Sequence, residues 1–140
     1  MATETNQLRV RFVTPDHVLV DEMATAVELP SKTGYIEVLY GHAPLLAELG
    51  AGDVTLHGAA GGHARYNVSW GFVEVLPERV TILANDALLP EAIDVPRAQE
   101  QLARGQALWN AAGDSEEAYC EANRVIDEAH AKLASAAHPN

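Results

Sequence analysis

Phe72-Val73-Glu74-Val75-Leu76-Pro77-Glu78-Arg79-Val80-Thr81-Ile82-Leu83-Ala84 decides the fold class. Val73 and Val75 alternate with Glu74; beyond Pro77-Glu78-Arg79, Val80, Ile82 and Ala84 alternate with Thr81 and Leu83. A period of two places one set of side chains on a buried face and the other in solvent, which is the signature of a half-buried strand. The polar break between the two runs folds them into a hairpin.

The same alternation extends back to the N-terminus. Leu8, Val10 and Phe12 alternate with Arg9, Arg11 and Val13 and stop at Thr14-Pro15-Asp16. His17–Glu22, Ala24–Leu29, Tyr35–Leu39, Leu45–Leu49, Asp53–His57 and Ala64–Val68 follow, with Ala59-Ala60-Gly61-Gly62 as a second hairpin tip. Short strands recurring every eight to ten residues or so, punctuated by turn residues, predict an antiparallel β-sandwich or barrel.

Near residue 90 the period changes. Val95, Ala98, Leu102, Gly105 and Trp109 fall three and four apart, with Asp94 as N-cap and Pro96 in a first turn that needs no N–H there. Asp114 with Glu117 reads as a capping box for a second helix striped by Ala118, Ala122, Val125 or Ile126, Ala129 and Leu133. The fold class read from these patterns is an N-terminal antiparallel β-sandwich or barrel, residues 1–89, followed by a C-terminal two-helix antiparallel hairpin, residues 90–140. Because the helical stripe is mostly alanine and glycine, little apolar area is buried per turn, at ~0.8 kcal/mol per methylene-sized group. Pattern alone fits both a mobile hairpin and a tail docked permanently on the core.

Composition narrows the function. Nine basic residues against twenty acidic ones give −11, and both halves are acidic. Phosphate backbones and anionic lipid repel such a chain, which argues against nucleic-acid binding and direct membrane docking. No run approaches the eighteen apolar residues or so that a membrane span needs. Met1–Gln7 reads as a polar leader without a signal-peptide pattern, and Cys120 has no partner for an internal disulfide, so cytoplasmic residence is the default expectation.

Catalytic patterns are missing from the sequence. The six histidines form no HxxxH or HExxH pair, and no GxSxG or phosphate-binding glycine loop occurs. His57 and His63 flank the glycine-rich tip, within reach of each other across a hairpin but in positions ordinary for exposed strand residues. The densest turn signal is Gly34 to Pro44, where Tyr35, Glu37, Tyr40 and His42 sit among glycines and a proline. Such a loop suits a protein contact surface, and equally a corner that only shapes the chain.

Phe12-Val13-Thr14-Pro15, Val27-Glu28-Leu29-Pro30, Gly34 to Leu46 with its Gly41-His42-Ala43-Pro44-Leu45-Leu46 ending, Val68–Val75, Val80–Ala84 and Ile93–Ala98 occur in that order. Together they closely resemble the epsilon subunit family of the bacterial F-type ATP synthase. The resemblance implies a non-catalytic central-stalk subunit on the cytoplasmic face of the bacterial inner membrane. Its implied partners are the gamma subunit and the c-subunit ring, and the alpha and beta subunits when the hairpin extends to restrain ATP hydrolysis. The alternative from another class is a freestanding ligand-binding β-sandwich.

The resemblance also assigns candidate residues. Glu37, Tyr40 and His42 are expected at the interface with the ring. Relatives usually carry glycine in place of Glu37, proline in place of Tyr40, and often Ser-Gly-Gly-Phe where this chain reads Ser69-Trp70-Gly71-Phe72. Some bacterial relatives bind ATP through an Ile-Asp-x-x-Arg-Ala motif, matched here by Ile93–Ala98, so Asp94, Arg97 and Arg104 are the candidate nucleotide contacts. Glu128 and Lys132 stand where such binders tend to carry basic residues. No cofactor is expected to be required, and ATP binding is expected to be weak or absent.

Overall fold

The computed structural model describes residues 7–59 and 62–137, without the side chains at positions 59, 62 and 63. The polar leader up to Asn6, the Ala60-Gly61 tip and the His138-Pro139-Asn140 end lie outside the described residues. Two compact units divide the chain, Met1–Leu88 and Leu89–Asn140.

The first unit is a seven-stranded sheet: β1 Leu8–Val13, β2 Val18–Ala24, β3 Ala26–Ser31, β4 Gly34–Leu39, β5 Leu45–Ala59, β6 Gly62–Leu76 and β7 Arg79–Leu88. Its order is β2-β1-β7-β6-β5-β3-β4. β2 also packs against β5, so the sheet folds over onto itself and encloses one core. Leu8, Val10, Phe12, Leu29, Leu49, Leu56, Val73 and Ile82 are completely buried there.

Two expectations are corrected. Leu45–Leu49 and Asp53–His57 belong to one 15-residue strand, and Ala64–Val68 and Phe72–Leu76 to another. Glycines and Trp70 read as breaks in the sequence, but they are bends within continuous strands. Gly50 and Trp70 drop out of the β5–β6 ladder, and Trp70 and Asn85 out of the β6–β7 ladder, while the register on either side stays the same. The polypeptide turns over the core along this row. Trp70 has φ 61° and Gly71 φ 134°. Trp70 thus holds a left-handed conformation that costs a side-chain-bearing residue about 1–2 kcal/mol.

The second correction concerns direction. β1 pairs with β7 in parallel, Arg9 beside Arg79 and Val13 beside Leu83, whereas the other pairings are antiparallel. The 72–84 hairpin forms as read, with Leu76 opposite Arg79 and only Pro77-Glu78 in the loop.

In the second unit a short 3-10 turn, Pro90–Ala92, leads to α1, Val95–Asn110, and α2, Glu116–Ala137. Asp94 caps α1 as expected, its carboxylate accepting the Arg97 N–H at 3.1 Å. For α2 the cap is Ser115, whose hydroxyl accepts the Ala118 N–H at 3.1 Å; the Asp114–Glu117 capping box is not formed. Shifting the cap by one residue puts Ala118, which has no carboxylate, at the third helical position.

The helical seam is narrow. Ala98 and Gly105 are buried on α1, Ala122, Ala129 and Ser135 on α2, while Val95 and Trp109 at the ends of the predicted stripe are exposed. A Cβ on Gly105 would stand 2.7 Å from Cγ1 of Ile126, so glycine sets how closely the helices approach. The Gln101 amide donates to the Val125 carbonyl at 3.2 Å, and Trp109 meets Tyr119 edge-on, ring centroids 4.6 Å apart, at the turn.

Candidate interaction surface

Alternation along β1, β2, β7 and the halves of β5 and β6 beside them sends every second side chain outward. The registers align these into rows: Glu48, Phe72, Leu83 and Val13 in one, Leu46, Glu74, Thr81, Arg11 and Asp21 in the next. Leu46 is 72% exposed, Phe72 51% and Leu83 50%. Three large apolar side chains lying open on neighbouring strands of one face are the mark of a contact surface, since a lone exposed leucine needs no explanation but a group of them does.

The Glu37–Pro44 segment adjoins the same body. Glu37 projects from β4, at the end of the sheet order, opposite Glu28 of β3, and is exposed. Glu28 in turn meets His57, Oε1 to Nε2 at 2.5 Å, so His57 engages β3; His63 is its register partner on β6. Tyr40 follows β4 in the turn and is 44% exposed. The Gly41 N–H donates to the Pro77 carbonyl at 2.7 Å, which ties this corner to the β6–β7 loop. His42 donates its N–H to Leu39, and its Nδ1 lies 2.7 Å from the Ala43 carbonyl. A carbonyl only accepts, so Nδ1 carries the proton and Nε2 is left to engage a partner. The backbone of the Gly41-His42 pair shapes the corner, while Tyr40 and the His42 ring stand on its surface.

The candidate nucleotide residues lie along α1 and its cap. Asp94 is committed to the helix cap, and Arg97 and Arg104 are exposed on α1. Lys132 pairs with Glu128 at 3.2 Å on α2. Among the described residues no three His, Cys, Asp or Glu side chains are placed to hold a metal ion, and no helix is long and apolar enough to cross a membrane. At the margin of the core, partial burial and the nearby Glu22 charge push the Tyr66 hydroxyl above the ordinary tyrosine range; its ring packs edge-on to Phe12, centroids 5.4 Å apart.

The outward group of Leu46, Phe72 and Leu83 is not among the residues that the sequence singles out. Alternation marks each as outward, but which strands adjoin is fixed only by the long-range registers.

Residues 7–90 match the family model of the ATP synthase delta/epsilon chain, β-sandwich domain. The chain is 44% identical over 103 residues to the ATP synthase epsilon chain of Koribacter versatilis, covering 73% of this chain and 71% of that one. It is 34% identical over 138 residues to the epsilon chain of Thermosynechococcus vestitus, covering 92% and 94%. In fold it resembles a chain in the Euglena gracilis mitochondrial ATP synthase, with TM-score 0.78, 21% identity and coverage of 98% and 85%. The chain belongs to the ATP synthase delta/epsilon family.

Proposed function

We propose that this chain couples proton flow through a membrane ring to the catalytic head as the epsilon-type subunit of the rotor. The outer sheet face bearing Leu46, Phe72 and Leu83 docks on the gamma subunit. The Glu37–Pro44 corner, with Tyr40 and the His42 ring, meets the c ring. Family membership supports the cytoplasmic face of the bacterial inner membrane as its place. The small-residue helical seam supports a hairpin that can rearrange to reach the alpha and beta subunits and restrain ATP hydrolysis. The observation that carries the reading is the exposed apolar face on a stalk-family body. A freestanding ligand-binding sandwich is not favoured, since the two tryptophans lie in different units.

Two double variants test these contacts. Phe72→Asp with Leu83→Asp should weaken gamma binding about thirtyfold or more, the scale of an interface hot spot. Glu37→Ala with His42→Ala should retain gamma binding but lose assembly on membranes carrying the c ring. Both should melt within a few degrees of the parent, because exposed positions contribute ~0.5 kcal/mol or less. A large fall in melting temperature for the second variant would mean that Glu37 and His42 serve the corner alone.

Nucleotide plays no strong part in this reading. Two exposed guanidinium groups on an acidic unit do not make a tight site for a tetra-anion. Titration of the whole chain with ATP should give a dissociation constant above about 100 μM. A value of a few micromolar, lost on Arg97→Ala, would reverse the conclusion.

A further inference from the structure

The same outer face carries a second kind of chemistry, and it lies where the chain's charge is locally reversed. Arg9, Arg11 and Arg79 line a shallow depression with Asp21, Thr81, Val13 and Leu83. Three of the nine basic residues of a −11 chain therefore share one site. Arg9 and Arg79 are direct neighbours in the parallel β1–β7 register, and Arg11 is two residues along the same face. Like charges placed opposite each other on adjacent strands destabilise a sheet. Asp21 relieves part of this by pairing with Arg9 at 2.9 Å. Arg11 and Arg79 have no carboxylate partner among the described residues: Asp21, the register neighbour of Arg11 on β2, pairs with Arg9, and the next acid along that row, Glu74, stands two strands away beyond Thr81.

We infer that Arg11 and Arg79 form a carboxylate-reading site that receives an acidic side-chain pair of the docking gamma subunit, beside the apolar contact made by Leu83 and Phe72. The inference rests on the stalk reading above. Charge complementarity selects the occupant: a basic depression edged by apolar residues fits an amphipathic segment with carboxylates next to its apolar side chains. Guanidinium forks bind carboxylates in a two-pronged planar geometry, which fixes orientation as well as adding attraction. On a chain that is otherwise strongly acidic, a basic site of this kind sets which way round the two surfaces meet.

The test uses the full chain and the gamma subunit of the same organism, titrated at about 50 and 300 mM salt, where screening differs strongly. The parent should bind more weakly at the higher salt. Arg11→Gln with Arg79→Gln should bind about tenfold more weakly at low salt and lose most of the salt dependence. Arg11→Lys with Arg79→Lys should keep the salt dependence, because the charge remains, while recovering only part of the affinity. Melting temperatures equal to or above the parent's are expected, since removing facing like charges relieves repulsion. If the parent binds gamma and the glutamine variant binds equally well with the same salt dependence, the carboxylate-reading site is wrong and the stalk reading stands. If the parent does not bind gamma at all, both fall.

Discussion

Gly71→Ala should cost this protein about 4 kcal/mol or more, among the largest effects a single methyl group produces. Two causes add at this position. The backbone holds φ 134°, a region open essentially to glycine alone, which by itself costs another residue about 1–3 kcal/mol. A Cβ built there would also overlap the Leu83 carbonyl oxygen and stand 3.0 Å from the Ala84 Cα. Both atoms are backbone of β7, so neither can swing aside as a side-chain end does. The β6–β7 ladder must open where the two strands turn over the core.

Gly34→Ala separates the two causes. Gly34 has φ 132°, nearly the same strain, but nothing lies within 4 Å of where its methyl group would stand. It should lose only the conformational part. For a domain of this size each kcal/mol moves the melting temperature ~4–8 °C. Gly71→Ala should therefore melt ~15–30 °C or more below the parent in circular dichroism, and Gly34→Ala clearly less than Gly71→Ala, by roughly 4–24 °C. Equal losses in the two variants would show that strain, and not the close approach of β7, governs Gly71.

That glycine also marks the limit of what is legible in the sequence. The termination of β1 at Thr14-Pro15-Asp16, the 72–84 hairpin, the Asp94 cap and the change of period near residue 90 depend on neighbours within a few residues, and each can be read locally. Trp70-Gly71 and Gly50 look like breaks by the same local rules, yet the ladders continue past them because partner strands supply hydrogen bonds on both sides. The parallel β1–β7 pair joins residues about seventy positions apart, and no local pattern encodes it. For the site, the turn-rich Gly34–Pro44 segment is visible through its composition. The apolar and arginine rows are not, because each strand contributes only one or two members and the group exists only once the registers are set.

Gly105→Leu should open the helical hairpin while leaving the sheet folded. The Cβ position at Gly105 is 2.7 Å from Ile126 Cγ1, 3.1 Å from Val125 Cγ1 and 3.2 Å from the Ile126 backbone nitrogen. Alanine there gains about 1 kcal/mol of helix propensity over glycine and spends it against that contact, so Gly105→Ala should be nearly neutral. Leucine gains similar propensity but adds three more carbons to a space already tight for the first. The helices must part, and little holds them otherwise, since the fully buried seam is mainly small side chains. Once apart, the helices lose the tertiary packing that supplies most helical stability in proteins. Hydrogen exchange reads the outcome by region. Amides of 95–137 should lose protection about a hundredfold, equivalent to roughly 2.7 kcal/mol of local opening, while those of β1, β6 and β7 keep theirs. Protection of the hairpin unchanged in Gly105→Leu would mean that the seam has room to repack and that its closeness is not what holds it together; protection lost throughout the chain would mean that the sheet depends on the hairpin for its stability.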